Sequence, residues 1–167
     1  KQGFATLDKA GNLDEGVFAK VFKTLAAMAN QGPGSIGYVI VGVADDAKTA
    51  QRIKQLHGVD PIKYQNFLIT GIDHEAAKLP KKLDSYFQGV TQRLAASPMS
   101  SWAKSQIARD IRLIKYFDRS LVVLRVEAGT EPCDYEGKYF ERHGSNVSEI
   151  LQPQHAALFR RFFAKSA

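Results

Sequence analysis

The residues best suited to chemistry are cations that lie in a stretch of β-forming residues past the middle of the sequence. These cations are Arg109, Arg112, Lys115, Arg119 and Arg125, and the acids among them are Asp110 and Asp118. Cations along a β-hairpin can hold the phosphates of a nucleic acid, and Tyr116 and Phe117 at the predicted tip could stack on a base. An edge hairpin whose charges only discourage aggregation explains the same pattern. Both interpretations remain open at this stage.

A second candidate is the segment 139–146, which reads Tyr-Phe-Glu-Arg-His-Gly-Ser-Asn. The Arg142 guanidinium offers a planar fork of donors that suits a phosphate, and the backbone N–H groups of Gly144 and Ser145 could converge on the same anion. A strand followed by a tight turn, with Ser145 or Asn146 as a capping residue, explains these residues equally simply. The residues alone favour this structural explanation over the binding one.

Three familiar catalytic signatures are incomplete in this chain. Residues 32–37 are rich in glycine, but no Lys-Ser or Lys-Thr pair follows, so they do not form a phosphate-binding Walker loop. His74 is followed by glutamate as in a zinc protease, yet Lys78 occupies the position where the second histidine is needed. Cys133 and His143 could pair as nucleophile and base, but a small buried cysteine side chain is the simpler interpretation.

The hydrophobic pattern predicts the elements that must position these residues. We predict helices over 13–31, 47–57, 83–96 and 153–165, and strands over 36–44, 64–72, 110–116, 121–126 and 138–142. The strand over 36–44 is almost wholly apolar, which is typical of a central strand covered on both faces. Helices and strands alternate first and strands cluster later, which predicts an α/β (α+β) fold with helices packed on a mixed sheet. We find no repeat or linker, so one domain over 1–167 is expected.

The composition narrows the class of protein. The chain has 167 residues, of which 44% are hydrophobic and 24% are charged, as in an ordinary globular domain. The 23 basic residues exceed the 17 acidic ones, and a net charge of +6 favours polyanionic partners. No apolar run is long enough for a membrane span, so no membrane partner is expected. With Cys133 as the single cysteine there is no disulfide framework, and we expect a cytoplasmic protein.

Three segments in fixed order carry a family resemblance. They are 26–30 (Ala-Ala-Met-Ala-Asn), 40–46 (Ile-Val-Gly-Val-Ala-Asp-Asp) and 139–145 (Tyr-Phe-Glu-Arg-His-Gly-Ser). Together with Pro132 ahead of the last segment, they resemble the Schlafen and divergent AlbA-like domain family over most of the chain. The resemblance implies the family's single AlbA-like domain and an association with DNA or RNA.

The same resemblance raises the question of catalysis. Some Schlafen members are metal-dependent RNases that cut tRNA and rRNA with three acidic residues. Asp45, or less favourably Asp46, matches the third of these acids, whereas the first two have no counterpart here. Residues 1–4 resemble the end of the strand that carries them, which makes the chain a candidate fragment that lacks its first strand. Asp45 is thus the candidate catalytic and metal residue, and Mg²⁺ or Mn²⁺ is expected only if the chain is a nuclease.

Three functions therefore remain open. The leading hypothesis is a nucleic-acid-binding module without a cofactor. Its predicted contacts are Arg109, Arg112, Lys115, Arg119, Arg142, Gly144 and Ser145. The first alternative is a metal-dependent endoribonuclease that acts on structured RNA such as tRNA. The second is a protein-interaction module whose basic face meets an acidic partner, with Phe159, Phe162 and Phe163 as a surface for assembly with itself or with further domains.

Overall fold

The computed structural model describes residues 1–163. Its helices are α1 (Glu15–Ala29), α2 (Ala47–His57), α3 (Asp73–Ala76), α4 (Leu83–Ala96), α5 (Ser101–Asp110) and α6 (His155–Phe163), the last preceded by a 3₁₀ turn over Gln152–Gln154. Its strands are β1 (Ile36–Val41), β2 (Val43–Ala44), β3 (Ile62–Tyr64), β4 (Phe67–Ile69), β5 (Arg112–Tyr116), β6 (Arg119–Glu127), β7 (Asp134–Tyr135), β8 (Lys138–His143) and β9 (Asn146–Glu149).

The strands of the described chain form three small antiparallel sheets, ordered β1-β6-β5, β2-β4-β3 and β7-β8-β9. The α+β class expected from the sequence is confirmed, although the pattern did not predict a partition into three sheets. The chain groups into two compact units. Unit 1 comprises residues 1–18, 39–92 and 112–123, and unit 2 comprises 19–38, 93–111 and those from 124 onward.

Unit 1 holds its first residues with a buried carboxylate. Glu75 Oε2 accepts hydrogen bonds from the Tyr86 hydroxyl at 2.6 Å and from the backbone N–H groups of Phe4 and Ala5 at 3.0 and 3.1 Å. The Phe4 ring stacks on Phe18 with centroids 4.0 Å apart. Burial raises the pKa of the Glu75 carboxyl, against the opposing effect of these hydrogen bonds. Residues 1–5 are therefore a packed part of the unit.

Unit 2 is organised around the buried amide of Asn30. The Asn30 Nδ2 group donates to the carbonyls of Cys133 and Phe140, both at 2.8 Å, and its Oδ1 accepts from the Cys133 N–H at 2.7 Å. The Lys23 ammonium lies 4.9 Å from the centroid of the Phe140 ring. These bonds satisfy backbone groups that water cannot reach. The asparagine that ends segment 26–30 thus ties the end of α1 to the strand that carries Arg142.

The predicted central strand over 36–44 is wrong in two respects. It breaks at Gly42, whose φ of 106° favours glycine and where a Cβ would lie 3.2 Å from backbone atoms. Its first part, β1, is an edge strand, and Ile36, Tyr38 and Ile40 are exposed. A continuous apolar run indicates a strand, but it does not specify which faces of that strand are covered.

The predicted buried strand over 64–72 is instead a hairpin. β3 and β4 pair around a turn at Gln65 and Asn66, so that Tyr64 lies opposite Phe67. Both aromatic side chains are exposed. The apolar content of the segment outweighed the turn-forming Asn66 in the sequence interpretation, although aromatic residues on both sides of such a turn are typical of a hairpin.

Helix α5 and strand β9 are absent from the sequence-based prediction. The buried residues Ala103 and Ile107 of α5 stand four apart, which is the helical spacing that could have revealed it. Arg109 lies in the last turn of α5 and not on the hairpin, so its assignment there is wrong. Strand β9 pairs antiparallel with β8, which covers the predicted strand over 138–142, and the turn between the two strands contains Gly144.

Several predictions are confirmed. Helices α2 and α4 have the predicted bounds, and α1 lies within the predicted 13–31, where Asp14 Oδ1 accepts the Gly16 N–H at 2.8 Å. The hairpin of β5 and β6 forms around the predicted turn. Helix α6 forms within 153–165, and the last two residues of that prediction lie outside the described residues. No helix within residues 1–163 is long and apolar enough to cross a membrane.

Candidate nucleic-acid interface

The hairpin of β5 and β6 presents cations from an exposed edge strand. Four of the five β5 side chains are exposed, including Arg112 and Lys115. Directly opposite residues share a face, and Arg112 pairs with Val123 whereas Lys115 pairs with Ser120. Because Arg112 and Lys115 are three positions apart, they point to opposite faces of the hairpin. The cations of β5 therefore do not form one basic face, and each face offers one of them.

Lys115 lies beside a carboxylate that holds the hairpin. Asp73 accepts the Ser120 hydroxyl at 2.6 Å and the Ser120 N–H at 2.7 Å, and the Lys115 ammonium approaches it at 3.3 Å. Burial acts to raise the pKa of Asp73, but the hydrogen bonds of Ser120 and the charge of Lys115 outweigh it, so the pKa lies below its usual value. An exposed ion pair of this kind contributes at most about 1 kcal/mol. A phosphate can therefore compete for Lys115.

The Arg119 guanidinium is already hydrogen-bonded to neighbouring residues. Its guanidinium donates to Asp118 at 2.6 Å and to the Asp60 carbonyl at 2.9 Å, and its side chain is 20% exposed. Its Nε is buried without a partner. Phosphate binding by Arg119 would have to replace existing hydrogen bonds. Its position therefore favours a role in holding the turn.

Arg109 and Arg125 belong to unit 2 and not to the unit that contains β5. Arg125 bridges Asp110 at 2.7 Å and Glu127 at 2.6 Å. The hydrogen bonds to Glu127, then to Tyr38 and Asp110, raise the pKa of its guanidinium further above the usual value. Arg109 is exposed near the end of α5. The charge of Arg125 is thus balanced locally by two acids.

The turn between β8 and β9 is the second candidate contact. Arg142 Nε donates to the Gly144 carbonyl at 2.7 Å, and the Arg142 carbonyl accepts from Gln31 Nε2 at 3.0 Å. Gly144 has a φ of 60°, and it and Ser145 are exposed. The Nε bond fixes the guanidinium over its own turn, and no acceptor within residues 1–163 engages its two terminal nitrogens. The predicted grouping of Arg142, Gly144 and Ser145 is therefore present in one turn.

The Cys133 thiol is unsuited to nucleophilic catalysis. The residue is fully buried, and burial raises its pKa to about 12, so the thiolate is scarce at neutral pH. His143 instead contacts the Glu141 carboxylate, with Nε2 to Oε1 at 3.0 Å. Arg161 also approaches Glu141, at 3.1 Å. The nucleophile and base pairing considered from the sequence is therefore not formed.

Asp45 does not fit a divalent-metal site. Its carboxylate is 51% exposed and forms an ion pair with Lys1 Nζ at 3.0 Å. Asp46 caps α2 by accepting the Thr49 N–H at 2.6 Å, and this hydrogen bond lowers the pKa of Asp46. The part of the chain that the structure describes contains no group of three potential metal-ligating side chains. Magnesium needs several oxygen ligands to displace its waters, so Asp45 alone would hold it poorly.

Two residues near the hairpin were missed from the sequence. Tyr64 and Phe67 flank the β3–β4 turn within unit 1, and the Tyr64 ring lies 6.1 Å from the ring of Tyr116. Lys63 is exposed on the same strand as Tyr64. The Tyr-Gln-Asn-Phe sequence at 64–67 carried the signal, because asparagine between two aromatic β-formers is typical of a two-residue turn.

A comparison with family models agrees with the family resemblance. The sequence model of the family described as "Schlafen, AlbA_2" matches residues 5–151, which is most of the chain. The crystal structure of the DIP2311 protein from Corynebacterium diphtheriae is similar with a TM-score of 0.49 and 18% identity, over 88% of this chain and 20% of that one. This chain thus spans about a fifth of the length of that protein. No curated protein matches the sequence.

Proposed function

The chain belongs to the Schlafen AlbA_2 family, and from that premise we propose that it is a module that binds the phosphate backbone of DNA or RNA. The observation that carries the proposal is the exposure of β5, whose Arg112 and Lys115 present one cation on each face of an edge strand. A cation at a solvent-exposed site can contact a phosphate without reading the base sequence. Binding of this kind is strong at low salt and weak at high salt.

The Arg142 turn supplies a second contact in the proposed function. Its guanidinium is oriented by the bond to the Gly144 carbonyl, so less side-chain freedom is lost when a phosphate binds. The exposed Gly144 and Ser145 offer backbone donors at the same turn. Donors held in a fixed orientation bind a phosphate oxygen more specifically than a diffuse positive surface does.

The salt dependence of binding tests the proposal. Fluorescence anisotropy with labelled RNA and DNA oligonucleotides, between about 50 and 200 mM salt, measures the slope of log affinity against log salt. We expect a steep slope for the wild-type chain and a slope lower by about two units for the double variant Arg112→Gln and Lys115→Gln. Lys20→Gln, which removes an exposed cation on α1, is the matched control. A flat slope, or equal losses in the control and the double variant, contradicts the proposal.

Arg142 variants test the second contact separately. Arg142→Ala should weaken binding by about 1–3 kcal/mol, as for other hydrogen bonds to charged groups. Arg142→Lys keeps the charge but not the planar fork, so it should recover only part of that loss. A thermal unfolding midpoint that falls as much as the affinity would instead identify Arg142 as a structural residue.

A further inference from the structure

Three aromatic rings of unit 1 contact one another in sequence at the turns of two hairpins, Tyr64 to Tyr116 and Tyr116 to Phe117, and a fourth aromatic residue, Phe67, lies opposite Tyr64. Tyr64 and Phe67 lie opposite each other beside the β3–β4 turn, and Tyr116 and Phe117 lie at the β5–β6 turn. The rings of Tyr64 and Tyr116 are 6.1 Å apart at 73°, and those of Tyr116 and Phe117 are 5.0 Å apart at 84°. We call these four side chains the aromatic cluster.

The aromatic cluster faces solvent. Phe117 is 79% exposed, Phe67 is 56% exposed and Tyr64 is 52% exposed. Tyr116 meets its neighbours edge to face, so the cluster is not closed by stacking of its own rings. The Phe117 ring, with most of its surface exposed, therefore has area available to a flat ligand. Rings that face water in this way contribute little to the core of unit 1.

The backbone conformation at Phe117 also supports a functional role for its ring. Phe117 has a φ of 52°, in the left-handed region that glycine or asparagine adopts far more readily than phenylalanine. Burial of the ring does not compensate for this conformation, because the ring is exposed. Folding alone thus gives no reason for a phenylalanine here. Strained residues of this kind are concentrated at functional sites.

The charges around the aromatic cluster favour a polyanion. Lys63 on β3 and Lys115 on β5 are exposed and adjacent in sequence to Tyr64 and Tyr116. Alternation along each strand directs each lysine to the opposite face from the neighbouring ring, where Lys115 also pairs with Asp73 at 3.3 Å. The neighbouring Asp118 is engaged by Arg119 at 2.6 Å. Each strand that carries a tyrosine of the cluster therefore also carries an exposed cation on its other face, and the acid closest in sequence is already paired. This arrangement complements a ligand that carries both flat rings and negative charge.

We propose that the aromatic cluster stacks the unpaired bases of a single-stranded nucleic acid, while Lys63 and Lys115 hold the flanking phosphates. The inference rests on the proposed function and specifies the form of its ligand. Bases in a duplex are stacked on one another and do not offer their faces, whereas every unpaired base has a face that an aromatic side chain can cover. The cluster therefore selects single strands over duplexes without selecting a sequence.

The first experiment needs no variant. The whole chain is titrated with a labelled single strand of about 12 nucleotides, with the same strand lacking its bases, and with the matching duplex. The abasic strand keeps the phosphate charge and removes the stacking partner. We expect the base-bearing strand to bind more tightly than both other probes. Equal binding of the base-bearing and abasic strands overturns the inference but leaves phosphate binding intact.

Two variants then locate the effect. Phe117→Asn removes the ring but tolerates the positive φ, and Tyr64→Ala removes a ring beside the other turn. Each variant should lower the affinity for the base-bearing strand about 5- to 150-fold and leave the affinity for the abasic strand unchanged. Phe163→Ala, which removes a phenylalanine 66% exposed on α6, is the matched control.

Each remaining outcome overturns the inference. Absence of binding to any nucleic acid overturns the proposed function and the inference together. Unchanged binding of the base-bearing strand by both ring variants overturns the inference alone. Self-association of the wild-type chain that Phe117→Asn abolishes, without an effect on nucleic acid, would assign the cluster to contacts between copies and would also overturn it.

Discussion

The two hairpins that carry the candidate phosphate contacts are held by different chemistry. Strand β8, which leads to the Arg142 turn, is held by the neutral and fully buried amide of Asn30. Strand β6, which follows the turn at Phe117, is held by the half-exposed carboxylate of Asp73 through Ser120. The first support does not titrate, whereas the second depends on a charge. Similar hairpins can thus be held by a neutral group, whose contribution does not depend on pH, or by a carboxylate, whose contribution is lost when it is protonated.

The largest effect is expected when the neutral support is removed. Asn30→Ala leaves the buried Cys133 and Phe140 backbone groups without their partners, so we expect the free energy of unfolding to fall by about 3–5 kcal/mol. Denaturant unfolding measures this change. Asn12→Ala, at an exposed asparagine, is the matched control and should alter stability little. A loss for Asn30→Ala as small as that of the control contradicts the role of the amide.

Removal of the charged support should cost less and should depend on pH. Asp73→Ala is expected to lower the free energy of unfolding by about 1–2 kcal/mol at neutral pH, since the carboxylate is partly exposed. The folded pKa of Asp73 lies below its unfolded value of about 3.9, so this contribution is complete above that pH and is lost as pH falls through the folded pKa.

The pH profile distinguishes the two supports. Unfolding of the wild-type chain and of each variant is measured at neutral pH and below about pH 4. The difference between wild type and Asp73→Ala should shrink in acid, whereas the difference for Asn30→Ala should stay nearly constant. A difference for Asp73→Ala that is equal at both pH values would show that its charge contributes nothing.

Substitutions at the two turns should change the stability of the chain in opposite directions. Phe117→Gly relieves a positive φ and should stabilise the chain by about 0.5–1 kcal/mol, while Gly144→Ala introduces the same strain and should destabilise it by a similar amount. No atom lies within 4 Å of a Cβ built at Gly144, so the second change isolates the backbone effect. Thermal unfolding checks both changes, and equal signs would contradict the assignment of strain.

The smallest effect is expected when divalent metal is added to the chain in a tRNA cleavage assay. We predict no magnesium- or manganese-dependent cleavage of tRNA by this chain, and no difference between the wild type and Asp45→Asn, because a single carboxylate paired with Lys1 holds Mg²⁺ poorly. The assay follows labelled tRNA on a denaturing gel with and without the metal. Cleavage that disappears in Asp45→Asn would reveal ligands that the described residues do not bring together.

Local signals predicted much of the fold and less of the candidate site. The α2 cap at Asp46 and the turn at Phe117 depend on residues close in sequence, and both were predictable. The exposure of β1 and the hairpin at Gln65 depend on which elements cover a strand, and an apolar run does not specify this.

The hydrogen-bond partners of the candidate side chains could not be predicted from the sequence either. Arg119 is occupied by Asp60, which lies 59 positions away in the sequence. The link between Asn30 and Cys133 spans 103 positions. Residue type identified the cations and the family motif, but only the fold determines which of these groups remain available to a ligand.

The buried carboxylate of Glu75 has a consequence for how the chain exchanges its protons with solvent. Its oxygen accepts the N–H groups of Phe4 and Ala5 beneath a packed ring, so these amides exchange only when unit 1 opens. The exchange rate of the Phe4 and Ala5 amides therefore reports on the integrity of unit 1.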